Sequence, residues 1–255
     1  MRPNKLLGQN FLTCNNIVTD IIKAAELKPT DFVLEVGPGK GILTEALVKA
    51  VPRGKVLAIE KDPRMVNLLR EKFANIKNLE IIEGDILAHL PTVNSQLTAK
   101  KYKVVANIPY YITSYLLRTF LETKDQPELM VLMVQKEVAE RILARDGKES
   151  LLSISVKVYG EPKIIKKVPA SCFYPKPKVD SAILKISDIS KRFFKTVNEK
   201  EFFKLVKKGF SQKRKLLKNN LGLSETQGLI ECGATEKARA EDLSIKNWGC
   251  LAQKY

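Results

Sequence analysis

The sequence predicts an α/β fold: a Rossmann-like, mostly parallel sheet of seven strands, followed by a small, all-helical C-terminal region. Three observations carry this. Short apolar runs alternate with segments of helical spacing through the first two-thirds of the 255 residues, and such alternation implies strand–helix–strand units feeding a parallel sheet. The first apolar run ends in a glycine-rich turn, Gly37-Pro38-Gly39-Lys40-Gly41. Near Ser187 the composition changes, and residues 185–220 carry twelve Lys/Arg against three Asp/Glu.

The elements follow in order. Residues 32–37, Phe-Val-Leu-Glu-Val-Gly, read as a buried strand, and 41–50 as a helix with Ile42, Leu43, Ala46, Leu47 and Ala50 on its apolar face. Residues 55–60 form the second strand. Residues 63–73 form the second helix, with Asp62 as its cap and Pro63 in its first turn. Strands at 79–82 and 102–106 are separated by the longest connection of this region, 86–101. A helix at 113–121 and strands at 128–134, 163–168 and 182–186 complete the sheet. One domain is therefore expected over residues 1–187 and a second, basic and helical, over 188–255. In the second, Phe202, Phe203, Leu205, Val206, Phe210, Leu216, Leu217 and Leu221 recur at roughly helical spacing, and Gly222, Gly228 and Gly233 break the later helices.

Composition narrows the function. There are 44 Lys/Arg and 28 Asp/Glu, a net charge of +16, which favours an acidic partner, either nucleic acid or an anionic membrane surface. The basic segment is interleaved with aromatic residues instead of forming one polar helix face, which argues against the membrane surface. No apolar run approaches the ~20 residues of a membrane span, and the first five residues, Met-Arg-Pro-Asn-Lys, do not begin a signal peptide. The four cysteines, Cys14, Cys172, Cys232 and Cys250, are widely spaced and make no CxxC pair. No metal site is expected, and reduced thiols in a cytoplasmic protein are the simpler reading. The single histidine, His89, removes hydrolase mechanisms that need a histidine base beside a nucleophile. No long heptad repeat marks a coiled-coil dimer, so a monomer is expected.

The glycine turn is the first candidate site. A dinucleotide-binding G-x-G-x-x-G would place its third glycine at position 42, which is Ile42. The spacing is G-x-G-x-G at Gly37, Gly39 and Gly41, which suits S-adenosylmethionine better than a pyrophosphate. Glu60 ends the second strand, where a carboxylate can accept both hydroxyls of a ribose. Asp85 follows the third strand, where it can accept from an adenine amino group. Alone, Glu60 reads equally as a solvated strand end and Asp85 as a turn residue. Three such sites in order at three consecutive strand ends point to one cofactor pocket.

Asn107-Ile108-Pro109-Tyr110 follows the fourth strand. The amino nitrogen of adenine or cytosine is a poor nucleophile because its lone pair is delocalised into the ring. The Asn107 side-chain oxygen and the Ile108 carbonyl can accept its two N–H groups and favour a pyramidal nitrogen. Pro109 holds Ile108 extended, and Tyr110 offers a ring for the base to stack upon. Phe173 lies in a proline-stiffened loop, Phe173-Tyr174-Pro175-Lys176-Pro177-Lys178-Val179-Asp180-Ser181. It is expected to face Tyr110 across an extruded base.

These motifs, in this order, resemble the small-subunit rRNA adenine dimethyltransferases, the KsgA-type family. The resemblance covers Leu7-Gly8-Gln9-Asn10-Phe11-Leu12, Glu35 to Gly41, Glu60, Asp85, Asn107 to Thr113, Gln135 to Arg141, Phe173 to Ser181, and Gly209 to Lys215 with Asn219-Asn220-Leu221. It implies that Asn10 and Leu12 join Gly37, Gly39, Glu60, Asp85 and Asn107 around S-adenosylmethionine. It also implies dimethylation at N6 of two adjacent adenosines near the 3′ end of 16S rRNA, within the small ribosomal subunit. The basic segment with Lys213, Arg214 and Lys215 would meet rRNA.

The erythromycin-resistance methylases, which modify large-subunit rRNA, are the alternative. Gly8 before Gln9-Asn10, Asp180 after Val179, and the signature from Phe210 to Leu221 argue for the small-subunit type. A ribosome-assembly factor with a vestigial methylase fold would explain the charge equally well, but has no use for Asn107-Ile108-Pro109-Tyr110. Lys40 departs from the apolar residue usual at that position, and its side chain is expected to point to solvent.

Overall fold

A computed structural model describes residues 3–4, 7–86, 88 and 101–255. His89 and most of the 86–101 connection lie outside the described residues. The chain forms two compact units, one of residues 1–139 and 163–189, the other of residues 140–162 and 190–255. A single cut at 187 therefore misses residues 140–162, which precede the last sheet strands in sequence but belong to the second unit.

The first unit opens with β1 (Phe11–Leu12) and α1 (Asn15–Ala25). Ile17, Val18, Ile21, Ala24 and Ala25 put one face of α1 in the core. Then β2 (Phe32–Val36), α2 (Ile42–Ala50), β3 (Lys55–Glu60), α3 (Pro63–Lys72) and β4 (Leu79–Glu83) alternate. After the connection come β5 (Tyr102–Asn107), α4 (Thr113–Glu122) and β6 (Leu129–Gln135). The helices α5 (Lys136–Leu143) and α6 (Leu151–Lys157) lead into β7 (Glu161–Val168), β8 (Phe173–Tyr174) and β9 (Ser181–Ser187). The seven-stranded sheet has the order β4-β3-β2-β5-β6-β9-β7. Pairings among β2 to β6 are parallel, and β9 runs antiparallel to β6. All five residues of β2 and the first six of β6 are buried, as expected of strands covered on both faces. The expected mostly parallel, seven-stranded fold is therefore what the chain adopts.

The strand order reverses at β2, with β3 on one side and β5 on the other. In open α/β sheets ligands bind at the carboxyl ends of the strands flanking such a reversal. The turn after β2, the ends of β3 and β4, and the segment after β5 converge there. A separate two-stranded ribbon pairs β1 with β8, setting Phe11 opposite Tyr174 and Leu12 opposite Phe173.

In the second unit α7 (Glu199–Gly209), α8 (Leu217–Leu221), α9 (Gln227–Glu231) and α10 (Ile245–Lys254) follow one another. Its core is aromatic: Tyr159, Phe193, Phe194, Phe202 and Phe203 pack at ring separations of 5.1–6.1 Å. Phe210 stacks on the fully buried Trp248 at 5.8 Å.

The expectation of reduced cysteines is corrected. Cys14 is bonded to Cys172 and Cys232 to Cys250. Distance along the chain does not limit distance in space: Cys14 follows β1 and Cys172 precedes β8, and pairing of those strands brings the two together.

Candidate active site

The carboxyl edge of the sheet holds an open cleft. Asn10, Leu12, Gly37, Gly39, Glu60, Asp85, Asn107, Ile108, Pro109 and Tyr110 all line it. Residues from Gly37 to Tyr110 meet there because four parallel strands end at one edge, and the segment with Asn10 and Leu12 adjoins them from the β1–β8 ribbon.

The glycine turn is built on the backbone geometry that only glycine adopts readily. Gly39 has φ +57°, and a Cβ there would meet the Phe11 ring at 3.0 Å. Its amide donates to Glu60 Oε2 at 3.0 Å, and the Asp62 amide donates to Glu60 Oε1 at 2.8 Å. Glu60 is therefore held in place by two backbone donors. Burial nevertheless raises its pKa, outweighing those bonds.

Asp62 is a second hub. It caps α3 by accepting from the Arg64 amide, and it is paired with the Arg64 guanidinium at 2.6 Å. The Arg64 side chain, opposed by partial burial and helped by Gln9, brings the Asp62 pKa down to about 2. Gln9 Nε2 donates to Asp62 Oδ2 at 2.8 Å, and Gln9 Oε1 accepts from the Asn4 amide at 2.7 Å. Gln9 thereby ties the N-terminal segment to the sheet beside the cleft, a role that its sequence neighbours did not reveal.

Glu35 also lines the cleft and is 1% exposed. Its Oε2 has no hydrogen-bond partner among the described residues. Burial, helped by the nearby negative charge of Glu60, raises its pKa to about 8. Asp85 is ion-paired with Lys61 at 2.8 Å.

Asn107 Nδ2 donates to the Asn10 carbonyl at 3.2 Å, which links the N-terminal segment to the end of β5. With the amide nitrogen so engaged, the oxygen is the end of this side chain left for a ligand. Pro109 sits at φ −57°, ψ 131° and is followed by a single 3₁₀ turn, Tyr110–Ile112. The Tyr110 hydroxyl lies 2.6 Å from Ser181 Oγ.

Phe173 is not presented to the cleft beside Tyr110. It is 4% exposed, packs in the core with Leu12, Val168 and Ile183, and is absent from the cleft lining. Side chains alternate along a strand, so β8 turns Phe173 inward and leaves Tyr174, 60% exposed, outward. Lys40 is exposed, yet its ammonium is not simply in solvent: it lies 4.9 Å from the centroid of the Phe11 ring.

Lys213, Arg214 and Lys215 are exposed in the turn between α7 and α8 of the second unit. The residues around them explain the signature in which they occur. Asn220 Nδ2 donates to the Gly209 and Gln212 carbonyls, fixing both ends of that turn's approach. A side chain at Gly209 would strike Trp248 at 2.3 Å.

The described residues contain no helix long and apolar enough to cross a membrane, and no group of three or more His, Cys, Asp or Glu placed to hold a metal ion.

A mostly parallel sheet with this order, a glycine turn after its central strand and acids at the next strand ends defines a Rossmann-like methyltransferase. More particularly, the chain belongs to the ribosomal RNA adenine dimethylase family, whose model matches residues 1–255. The Ribosomal RNA small subunit methyltransferase A of Dehalococcoides mccartyi is 45% identical over all of this chain and 89% of its own length. The protein of the same name from Halothermothrix orenii is 42% identical over 99% of this chain and 88% of its own. Among solved structures, a dimethyladenosine transferase from Plasmodium falciparum is similar with a TM-score of 0.77 and 29% identity, covering 94% of this chain and 95% of its own. The 23S rRNA methyltransferase ErmE is similar with a TM-score of 0.75 and 26% identity, over 96% of this chain and 99% of its own. The two relatives named for the small subunit are thus more similar to this chain in sequence than ErmE is.

Proposed function

We propose that this chain dimethylates N6 of two adjacent adenosines near the 3′ end of 16S rRNA in the small ribosomal subunit, using S-adenosylmethionine, and so takes part in ribosome biogenesis in the cytoplasm. The observation that carries the reading is the single cleft in which the glycine turn, Glu60, Asp85 and Asn107 to Tyr110 converge. The full-length match to small-subunit methyltransferases directs it to 16S rRNA.

The donor set fits the cofactor. A ribose-bearing cofactor suits a cleft lined by Glu35, Glu60 and Asp85, and the buried Glu35 Oε2, which has no hydrogen-bond partner among the described residues, is a polar atom open to a ligand. Gly37 and Gly39 leave the turn without Cβ atoms, so a ligand can approach its backbone. Asn10, Leu12, Gly37, Gly39, Glu60, Asp85 and Asn107 hold the cofactor. When bound, it supplies an electrophilic methyl group that needs no strong base to be accepted.

The chain's own residues prepare the nucleophile. Asn107 Oδ1 and the Ile108 carbonyl accept the N6 protons and favour a pyramidal nitrogen. Pro109 aims that carbonyl, and Tyr110, anchored through Ser181, presents its ring to the base. Phe173, paired with Leu12 across the ribbon, keeps that wall of the cleft in place. Desolvation and placement lower the barrier. Lys213, Arg214 and Lys215 contact rRNA phosphates, and the chain works as a monomer.

Labelled methyl transfer to small subunits, large subunits and free rRNA, followed by identification of the modified base, tests this. Dimethyladenosine in small subunits alone is expected. Label confined to large subunits would replace the reading with that of the erythromycin-resistance type, and no label in any would remove it.

A further inference from the structure

Outside the cleft's lining acids and the Asn107 segment, one cluster has no part in the chemistry described. Tyr174 is 60% exposed, although it stands next to the buried Phe173 and is paired with Phe11 of the cleft wall. Lys40 lines the same cleft, and its ammonium lies 4.9 Å from the Phe11 centroid and 6.0 Å from the Tyr174 centroid. Both separations are within reach of a cation–π contact. Among the described residues Lys40 has no acidic partner. Lys176 and Lys178, also exposed, follow Tyr174 in the same loop. A large exposed ring beside such cations is poorly explained by folding: the ring gains little burial, and among the described residues no carboxylate is ion-paired with Lys40, Lys176 or Lys178. It is the composition of a single-stranded nucleic-acid platform, in which a ring stacks a base and lysines meet the phosphates.

We propose that Tyr174 and Lys40 bind the nucleotide adjacent to the target adenine, the Tyr174 ring stacking on its base and the Lys40 ammonium pairing with its phosphate. This rests on the reading of the cleft as the target pocket. It assigns the mouth of that cleft a single-stranded RNA segment longer than the one base that enters. The ring is sequence-tolerant, because every base offers a π-face, so this platform positions the strand without choosing the base. With two adjacent targets, it also holds one adenosine while its neighbour occupies the pocket.

A short single-stranded oligoribonucleotide containing adenine with 2-aminopurine beside it provides the probe. Binding to the full chain should quench the 2-aminopurine fluorescence. Tyr174→Ala should abolish the quenching and weaken binding roughly ten-fold, within the range that loss of one stacked base produces. Tyr174→Phe should keep both. Lys40→Met keeps the alkyl stem and should lower the magnitude of the log–log salt slope by ~0.7, as expected for one single-strand phosphate. Melting curves identify a variant that fails to fold. Should Tyr174→Ala do so, the Lys40→Met slope and the wild-type quenching decide. Unquenched fluorescence with the wild-type chain, or unchanged affinity and slope in folded variants, overturns the proposal. Quenching by a chain that transfers no methyl would instead support the platform and remove the methyltransferase reading.

Discussion

The Tyr110 hydroxyl lies 2.6 Å from Ser181 Oγ, joining the segment after β5 to the first residue of β9. Ser181 is fully buried, and Tyr110 is half-buried with its phenol pKa raised by that burial. The strand that follows the proline loop thus meets the Asn107 segment through this hydrogen bond. Tyr110→Phe keeps the ring but leaves the Ser181 hydroxyl without this partner, which should destabilise the chain by about 1–3 kcal/mol. Denaturant titration measures that loss. Methyl transfer by the variant should fall less than its stability suggests, because the stacking surface remains.

Asn107→Ala should separate chemistry from binding. It removes one acceptor for the N6 protons together with the bond to the Asn10 carbonyl, so some cofactor affinity is lost. An acceptor aimed at developing charge is commonly worth ~3–4 kcal/mol, or two to three decades in rate. Single-turnover transfer at saturating cofactor and small subunits should show that drop, with rRNA affinity barely changed. An undiminished rate would place the chemistry elsewhere.

Gly39→Val should abolish cofactor binding in a folded chain. Valine is strained at φ +57°, and its Cβ would press the Phe11 ring at 3.0 Å. The same change disturbs the amide that holds Glu60. Calorimetry with S-adenosylmethionine, alongside a melting curve, is the check: near-normal affinity would count against this turn as the binding site.

The exposed triplet Lys213, Arg214 and Lys215 should act through charge alone. Replacing all three by alanine should weaken small-subunit binding and flatten its salt dependence, by ~1 in log–log slope for each duplex-like phosphate that is no longer neutralised. Cofactor affinity should stay the same. An identical salt slope would mean that these side chains form only a solvated face.

Glu35 gives the stability a pH dependence of definite sign. Free glutamate ionises near 4.5, whereas burial holds the folded-state value near 8. Between those values the folded chain binds the extra proton, so stability falls as pH rises through this window and levels off above it. Asp62 acts at the other end: its pKa is lowered from 3.8 to about 2, so its contribution is complete above 3.8 and disappears as pH falls towards 2. Glu35→Gln should therefore reduce the fall in melting temperature between pH 5 and 8, leaving the smaller fall that Glu60, also raised by burial, contributes, with the acid limb unchanged. A pH profile that keeps its slope in that variant would show that another group carries it.

Much of this molecule is legible from local signals. Strand β2 is apolar throughout and ends at Gly37, and Asp62-Pro63 announces α3 through capping chemistry. The cleft followed, because strand ends of a parallel sheet share one edge. What was illegible depends on partners remote in sequence. Two residues make no periodicity, so β1 and β8 have no signature apart from each other. The inward turn of Phe173 and outward turn of Tyr174 depend on that pairing. Residues 140–162 join the second unit through packing, as where Tyr159 meets Phe194 and Phe203, and no composition shift marks them. The bond from Cys14 to Cys172 is another product of the ribbon.

That bond makes the polypeptide a closed circuit with two tails. The circuit runs from Cys14 through α1 and strands β2 to β7, and returns at Cys172 after a separation of 158 residues. A backbone cut anywhere inside it leaves one covalent molecule, as does a cut between Cys232 and Cys250, whereas a cut elsewhere in either tail releases a fragment. The denatured chain likewise cannot extend beyond the girth of this hoop, a restriction that loop-closure entropy values at about 5 kcal/mol. The knot of the hoop lies next to Leu12 and Phe173, so the cleft wall stands where the two ends of the circuit are tied.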